Sequence, residues 1–169
     1  MTLNAIPTNL KLIKIQRRSQ TSTGSTSDTN WRVAFDSVSF TGVSGKTYII
    51  SVMLPEVQMF NSSSTVAKEA TGWFFLQVGT TNRTNGQSQS SQYRDSVIVN
   101  SRYRTTGEQG FSNNIPMHLT GAYAPSSNGT YYTYVAHHCP NLGDSTTIGA
   151  QSTTYQWIYI YETDVSIST

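Results

Sequence analysis

Apolar and polar residues alternate one for one along several short stretches of this chain. A period of two is the signature of a half-buried β-strand, whose successive side chains point to opposite faces. The cleanest run is 47–54, where Tyr48, Ile50, Val52 and Leu54 form one face. Trp31, Val33 and Phe35 alternate in the same way. The phase slips before Val38 and Phe40, which predicts a bulge or bend in one long strand. Gly42 and Gly45 predict the turn into 47–54, and Pro55 predicts that strand's end or an edge position. The run GWFFLQV at 72–78 is apolar on both faces and must be covered on both sides. Further strands are expected at 10–16, 95–103, 115–123, 130–138 and 154–161. In the last of these Tyr155, Trp157, Tyr159 and Tyr161 oppose Ile158 and Ile160, so neither face is polar. Polar loops are expected at 21–30, at 80–92 with a tight turn at Asn85-Gly86, and at 124–129. Only 61–70 leaves room for a helical turn.

Composition narrows the class. Of 169 residues only 12% are charged, about half the roughly 25% of an ordinary domain. Ser, Thr, Asn and Gln make up 68 of them, a balance that excludes a coiled coil or helical bundle. Ten Tyr, six Phe and three Trp supply a core, so the hydroxyl richness is not a sign of disorder. The expected fold is all-β, a jelly-roll β-sandwich of about eight strands, with residues 31–169 as the domain. Residues 1–30 are expected to form an N-terminal arm with a short strand and a polar loop. Strands apolar on both faces need a partner, which a symmetric oligomer supplies. No stretch approaches the ~20 apolar residues of a membrane helix, and Lys11 and Lys14 interrupt the only candidate leader. Cys139 is the only cysteine, so no intrachain disulfide forms.

Four cations, Lys11, Lys14, Arg17 and Arg18, fall within eight residues. Such a cluster either meets an acidic protein surface or nucleic acid, or guards an exposed strand edge. His137-His138-Cys139 is the one group with ligand-type side chains, yet adjacent strand residues face opposite ways. His137 and His138 are therefore weak metal candidates, except as three copies about an axis. Glu162 and Asp164 alternate on the terminal segment and are either a pair that binds a cation or a solvated edge. Gly143-Asp144-Ser145-Thr146 resembles an esterase nucleophile block without the strand–helix context that block needs, and no G-x-S-x-G occurs. Trp31, Trp73, Trp157 and the run 131–134 are core or interface, or else platforms for sugar rings.

The segments FDSVSF at 35–40 and GVSGKTYIISV at 42–52, with the closing TYQWIYIYETD at 154–164, resemble the trimeric jelly-roll heads of the tumour necrosis factor and complement globular type. The resemblance spans roughly 31–164. It implies a homotrimer with the last strand near the threefold axis, and hence Tyr155, Trp157, Tyr159 and Tyr161 as trimer-interface candidates. Small free-standing proteins of this kind are common in tailed bacteriophages. The chain is accordingly expected to be a non-enzymatic capsid decoration (cement) protein, made in the host cytoplasm and placed on the capsid surface. Its expected partners are itself and the major capsid protein, with no cofactor, nucleic acid or membrane. Lys11, Lys14, Arg17 and Arg18 are the capsid-contact candidates. The alternative is a tail-fibre or baseplate tip that binds a host surface glycan through loops 80–92 and 124–129.

Overall fold

The computed structural model describes residues 9–18, 22–24, 31–61, 70–89, 95–105, 112–138, 144–148 and 156–165. Among these residues there are twelve strands and no helix. They are β1 (Lys11–Arg18), β2 (Ser22–Gly24), β3 (Trp31–Val33), β4 (Val38–Gly42), β5 (Thr47–Asn61), β6 (Ala70–Gly79), β7 (Ser88–Gln89), β8 (Ser96–Thr105), β9 (Ser112–Tyr123), β10 (Gly129–His138), β11 (Asp144–Ile148) and β12 (Gln156–Thr163). Two six-stranded sheets form, with every pairing antiparallel. The first runs β1-β12-β5-β9, and β11 and β2 extend it beyond β12 at the far end of β5. The second runs β7-β3-β10-β6-β8, with β4 on β10 beside β3.

With β3 and β4 taken as one interrupted strand, β1-β12-β5-β9 faces β3/β4-β10-β6-β8. First strand beside last and second beside penultimate is the order of a jelly roll. The eight strands foreseen are these; β2, β7 and β11 are additions. The break at 34–37 is where the alternation slips, and both halves follow the same neighbour, as Ala136↔Val33 and Thr133↔Val38.

The alternating residues meet between the sheets. Tyr48, Ile50, Val52 and Leu54 of β5, with Ile158 and Ile160 of β12, are buried against Phe40, Phe74, Leu76, Val78 and Val135 of the second sheet. Phe40 and Tyr48 join the layers with ring centroids 5.1 Å apart. Burying each large apolar side chain contributes about 1.5–3 kcal/mol.

Three expectations change. Pro55 does not end its strand, for β5 continues to Asn61. The β9 pairing shifts register between Leu54 and Val57, and in that bulge a residue without an N–H breaks no ladder bond. The loop 80–92 contains β7, pinned to β3 through Trp31↔Gln89 and Arg32↔Ser88. Its turn is at Asn85-Gly86 as expected, with Gly86 at φ +72, a conformation side chains other than glycine's rarely adopt. The third change is that β1 and β2, both within 1–30, are strands of the first sheet. Residues 62–69, most of the possible helical turn, and 25–30 lie outside the described residues.

Candidate functional site

The outer face of the first sheet follows from its register. Since Ile50, Val52, Ile158 and Ile160 point inward, their sequence neighbours point out. The outward residues align in rows across the strands. One row is Arg17, Trp157, Met53 and His118; the next is Ile15, Tyr159, Ser51 and Thr120; the third is Leu12, Tyr161, Ile49 and Ala122. A register shift between Leu12 and Lys14 lets both Leu12 and Ile15 face outward. Ile15 is 51% exposed, Met53 46%, Leu12 43% and Trp157 37%, and they adjoin one another. Trp157 and Tyr159 stack at 6.4 Å. Scattered surface apolar residues need no account, but a contiguous group makes this face a candidate interaction surface. Trp157, Tyr159 and Tyr161 thus lie together on one exposed face; Tyr155 lies outside the described residues.

In this face sits a polar cluster that alternation alone did not single out. Ser51 Oγ lies 2.5 Å from His118 Nε2, and Thr120 donates to Ser51 Oγ at 3.1 Å. The available signal was that Met117 and Leu119 point inward, which leaves His118 and Thr120 opposite Met53 and Ser51.

The basic cluster divides. Lys14 and Arg18 occupy inward positions of β1, the strand at the edge of its sheet. Lys14 Nζ donates to the Ser39 carbonyl at 2.5 Å, and Arg18 Nη2 reaches the Ser37 carbonyl at 3.4 Å. Both cations thereby cap backbone acceptors where the second sheet ends, so they join the two sheet edges and protect one of them. Lys11 and Arg17 are exposed. Between the edges runs a groove with a cavity of about 290 Å³ lined by Lys14, Arg18, Asp36, Asn82, Thr84 and Tyr132.

His137 and His138 do point to opposite faces. His137 is fully buried and stacks on Phe74 at 6.4 Å. Burial, with the charges of His138 and Arg32 beside it, lowers its pKa to about 3. His138 packs on Trp31, on the outer face of the second sheet, with ring centroids 5.2 Å apart. Neighbours on one strand that face apart cannot close on one ion. Among the described residues no three His, Cys, Asp or Glu side chains gather as ligands, and Cys139 lies outside them. Glu162 accepts from the Tyr48 hydroxyl at 3.0 Å and Asp164 pairs with Lys46, so the two carboxylates serve different partners. Burial and the Glu162 bond raise the Tyr48 pKa. Of that block, Asp144, Ser145 and Thr146 belong to strand β11, and Gly143 lies outside the described residues.

Of the tryptophans, Trp31 is buried against Phe75 at 4.5 Å, and Trp73 is half-buried under the Arg102 guanidinium. Residues 80–89 of that loop are fastened down, with Val33 and Ser37 donating to the Gln87 and Arg83 carbonyls, and 90–92 lie outside the described residues. Arg83 is buried and pairs with Asp95 at 3.1 Å, beside the Tyr134 hydroxyl. A side chain at Gly79 would collide with the Asp95 carboxylate, so glycine there lets the pair close over β6.

No family model and no curated protein matches the chain. Among solved structures it is similar to the Gx strain of infectious bursal disease virus, with a TM-score of 0.35, 8% identity, and coverage of 96% of this chain and 38% of that one. The VP2 subviral particle of the same virus gives 0.32, 9%, 96% and 39%. The chain spans about two fifths of the length of these structures. Its jelly-roll assignment rests on strand order, not on this likeness.

Proposed function

We propose that this chain is a non-enzymatic virion structural protein, a homotrimeric jelly roll that decorates and stabilises a capsid. The observation that carries the reading is the outer face of the first sheet, where Leu12, Ile15, Met53 and Trp157 stand exposed together on three adjoining strands. Its rows set these apolar side chains beside Ser51, Thr120 and Tyr159, a surface that a second copy can meet by packing and hydrogen bonds. The last strand, β12, carries its aromatic residues, in keeping with the trimeric heads the sequence resembles. Within the basic cluster, Lys11 is the exposed cation that would face an acidic capsid surface, because Lys14 and Arg18 are held at the sheet edge and Arg17 stands in the row of Trp157.

Function would then be binding energy alone: a trimer bridging adjacent capsid subunits opposes their separation. Electron cryomicroscopy of particles that carry the protein tests this. Threefold knobs on the outer shell are expected. Density at a tail tip, together with glycan binding, would instead favour the receptor-binding alternative.

A further inference from the structure

The groove between the two sheet edges holds a polar cavity that self-association does not use. Its volume is about 290 Å³, the small end of ligand pockets, which is room for one ring rather than a chain. None of its lining residues stands in the rows of the first sheet's outer face. Lys14 and Arg18 enter it from β1, Asp36 from the break between β3 and β4, Asn82 and Thr84 from the loop after β6, and Tyr132 from β10.

Both cations have donors to spare. A lysine ammonium carries three N–H groups, and the Ser39 carbonyl takes one of those on Lys14. Arg18 reaches the Ser37 carbonyl through Nη2 only at 3.4 Å, and its Nε, shielded from water, has no partner among the described residues. This guanidinium is loosely held, and its fork suits the paired oxygens of a carboxylate. The groups opposite are fixed in place. Asn82 Oδ1 accepts from Ser37 Oγ at 2.7 Å, and Ser37 Oγ accepts from the Arg83 N–H at 3.0 Å, so the Asn82 amide can donate into the cavity. Asp36 Oδ1 accepts from the Asn85 N–H at 2.9 Å, and a carboxylate has lone pairs beyond that one. Two cations against one carboxylate match a single negative charge. Asp36 also selects, because it repels a bare anion yet accepts from a hydroxyl.

We infer that this cavity binds a sugar acid, a pyranose ring with one carboxylate. The carboxylate sits on Lys14 and Arg18, and the ring hydroxyls meet Asp36, Asn82 and Thr84. A wider hollow of about 610 Å³ adjoins it, sharing Lys14 and Ser39 and lined by Ile13, Phe40, Thr41 and Val43. That hollow has room for the residue to which the ring is joined, so the source is the terminal residue of an acidic glycan. The site is independent of trimer formation.

The test titrates the isotope-labelled full chain with glucuronate, methyl glucuronide, glucose, acetate and inorganic phosphate, following amide chemical shifts. Glucuronate and methyl glucuronide are expected to shift Asp36, Asn82 and Thr84 with dissociation constants of about 1 mM or tighter, and the other three to bind at least about tenfold more weakly. Binding of glucuronate without its methyl glycoside would keep the site and move the source to a free sugar acid. Asn82→Asp changes an exposed residue, still accepts from Ser37 and sets two carboxylates against two cations; it is expected to weaken glucuronate about tenfold or more. Arg18→Gln should do the same, with far-ultraviolet dichroism checking that each variant is folded. Acetate or phosphate binding as tightly as glucuronate overturns the sugar, and glucose binding as tightly overturns the carboxylate. Shifts confined to other residues, no shifts at about 20 mM glucuronate, or unchanged affinity in Asn82→Asp overturn the site.

Discussion

Replacing Asp95 by Ala is expected to destabilise the fold by about 3–5 kcal/mol, the usual cost of removing one partner of a buried ion pair. The side chains of Arg83 and Asp95 are only 5% and 12% exposed. Asp95 Oδ2 accepts from Arg83 Nη2 at 3.1 Å and from Nε at 3.3 Å, and the Tyr134 hydroxyl lies 2.5 Å away. Without the carboxylate, the guanidinium stays buried among neutral groups. It cannot swing to water without tearing the loop from the sheet, because its own backbone N–H donates to Ser37 Oγ at 3.0 Å and its carbonyl accepts from the Ser37 N–H at 2.8 Å. With a urea m-value of about 2 kcal/mol per molar, the midpoint should fall by about 1.5–2.5 M. Tyr134→Phe removes one hydroxyl and leaves the ion pair, so it should cost only about 1 kcal/mol. The double variant Arg83→Met with Asp95→Leu should recover most of the loss, since it leaves no buried charge. A midpoint shift for Asp95→Ala under about 0.5 M, or one no larger than that of Tyr134→Phe, would refute the reasoning.

His137 and the sheet edge give two more tests. The His137 pKa is lowered to about 3 from an ordinary 6.5, so the unfolded chain binds a proton between those values that the folded chain refuses. Stability is therefore undiminished above about pH 6.5 and falls as pH drops towards about 3, by up to about 1.4 kcal/mol per unit. His137→Phe should flatten that decline in urea titrations at neutral and acid pH, and identical slopes would contradict the assignment. Lys14→Met removes the cap on the Ser39 carbonyl, so it should cost about 0.5–1.5 kcal/mol and raise the tendency to aggregate through the β4 edge. Unchanged stability and solubility would show that water serves that carbonyl equally well.

What the sequence made legible was set by periodicity. The face of Tyr48, Ile50, Val52 and Leu54 and the pair Ile158 and Ile160 lie in the core because strict alternation leaves no other placement for them. Elements governed by pairing were not legible. β11 contains one apolar residue in five, and β7 is Ser88-Gln89; each is a strand only because a partner offers it backbone bonds. Pro55 sits inside β5 because a bulge, a matter of register, spares its missing N–H. The same limit applies to the site. The clustering of Trp157, Tyr159 and Tyr161 could be read from one strand, but Leu12, Ile15, Met53 and His118 join them only through cross-strand register. Lys14 and Arg18 looked like partner contacts because the Ser37 and Ser39 carbonyls they cap belong to the other sheet.

The account stands on self-association through the outer face of the first sheet, and Trp157 is the residue to change. It is 37% exposed and stacks only on Tyr159 among the described rings, so Trp157→Asp should leave the monomer folded. Sedimentation equilibrium at neutral pH is expected to give three times the 18.7 kDa chain mass for the wild type and the single chain mass for Trp157→Asp, with matching circular dichroism. A wild type that remains at the single chain mass, or a Trp157→Asp variant that remains trimeric, would contradict it.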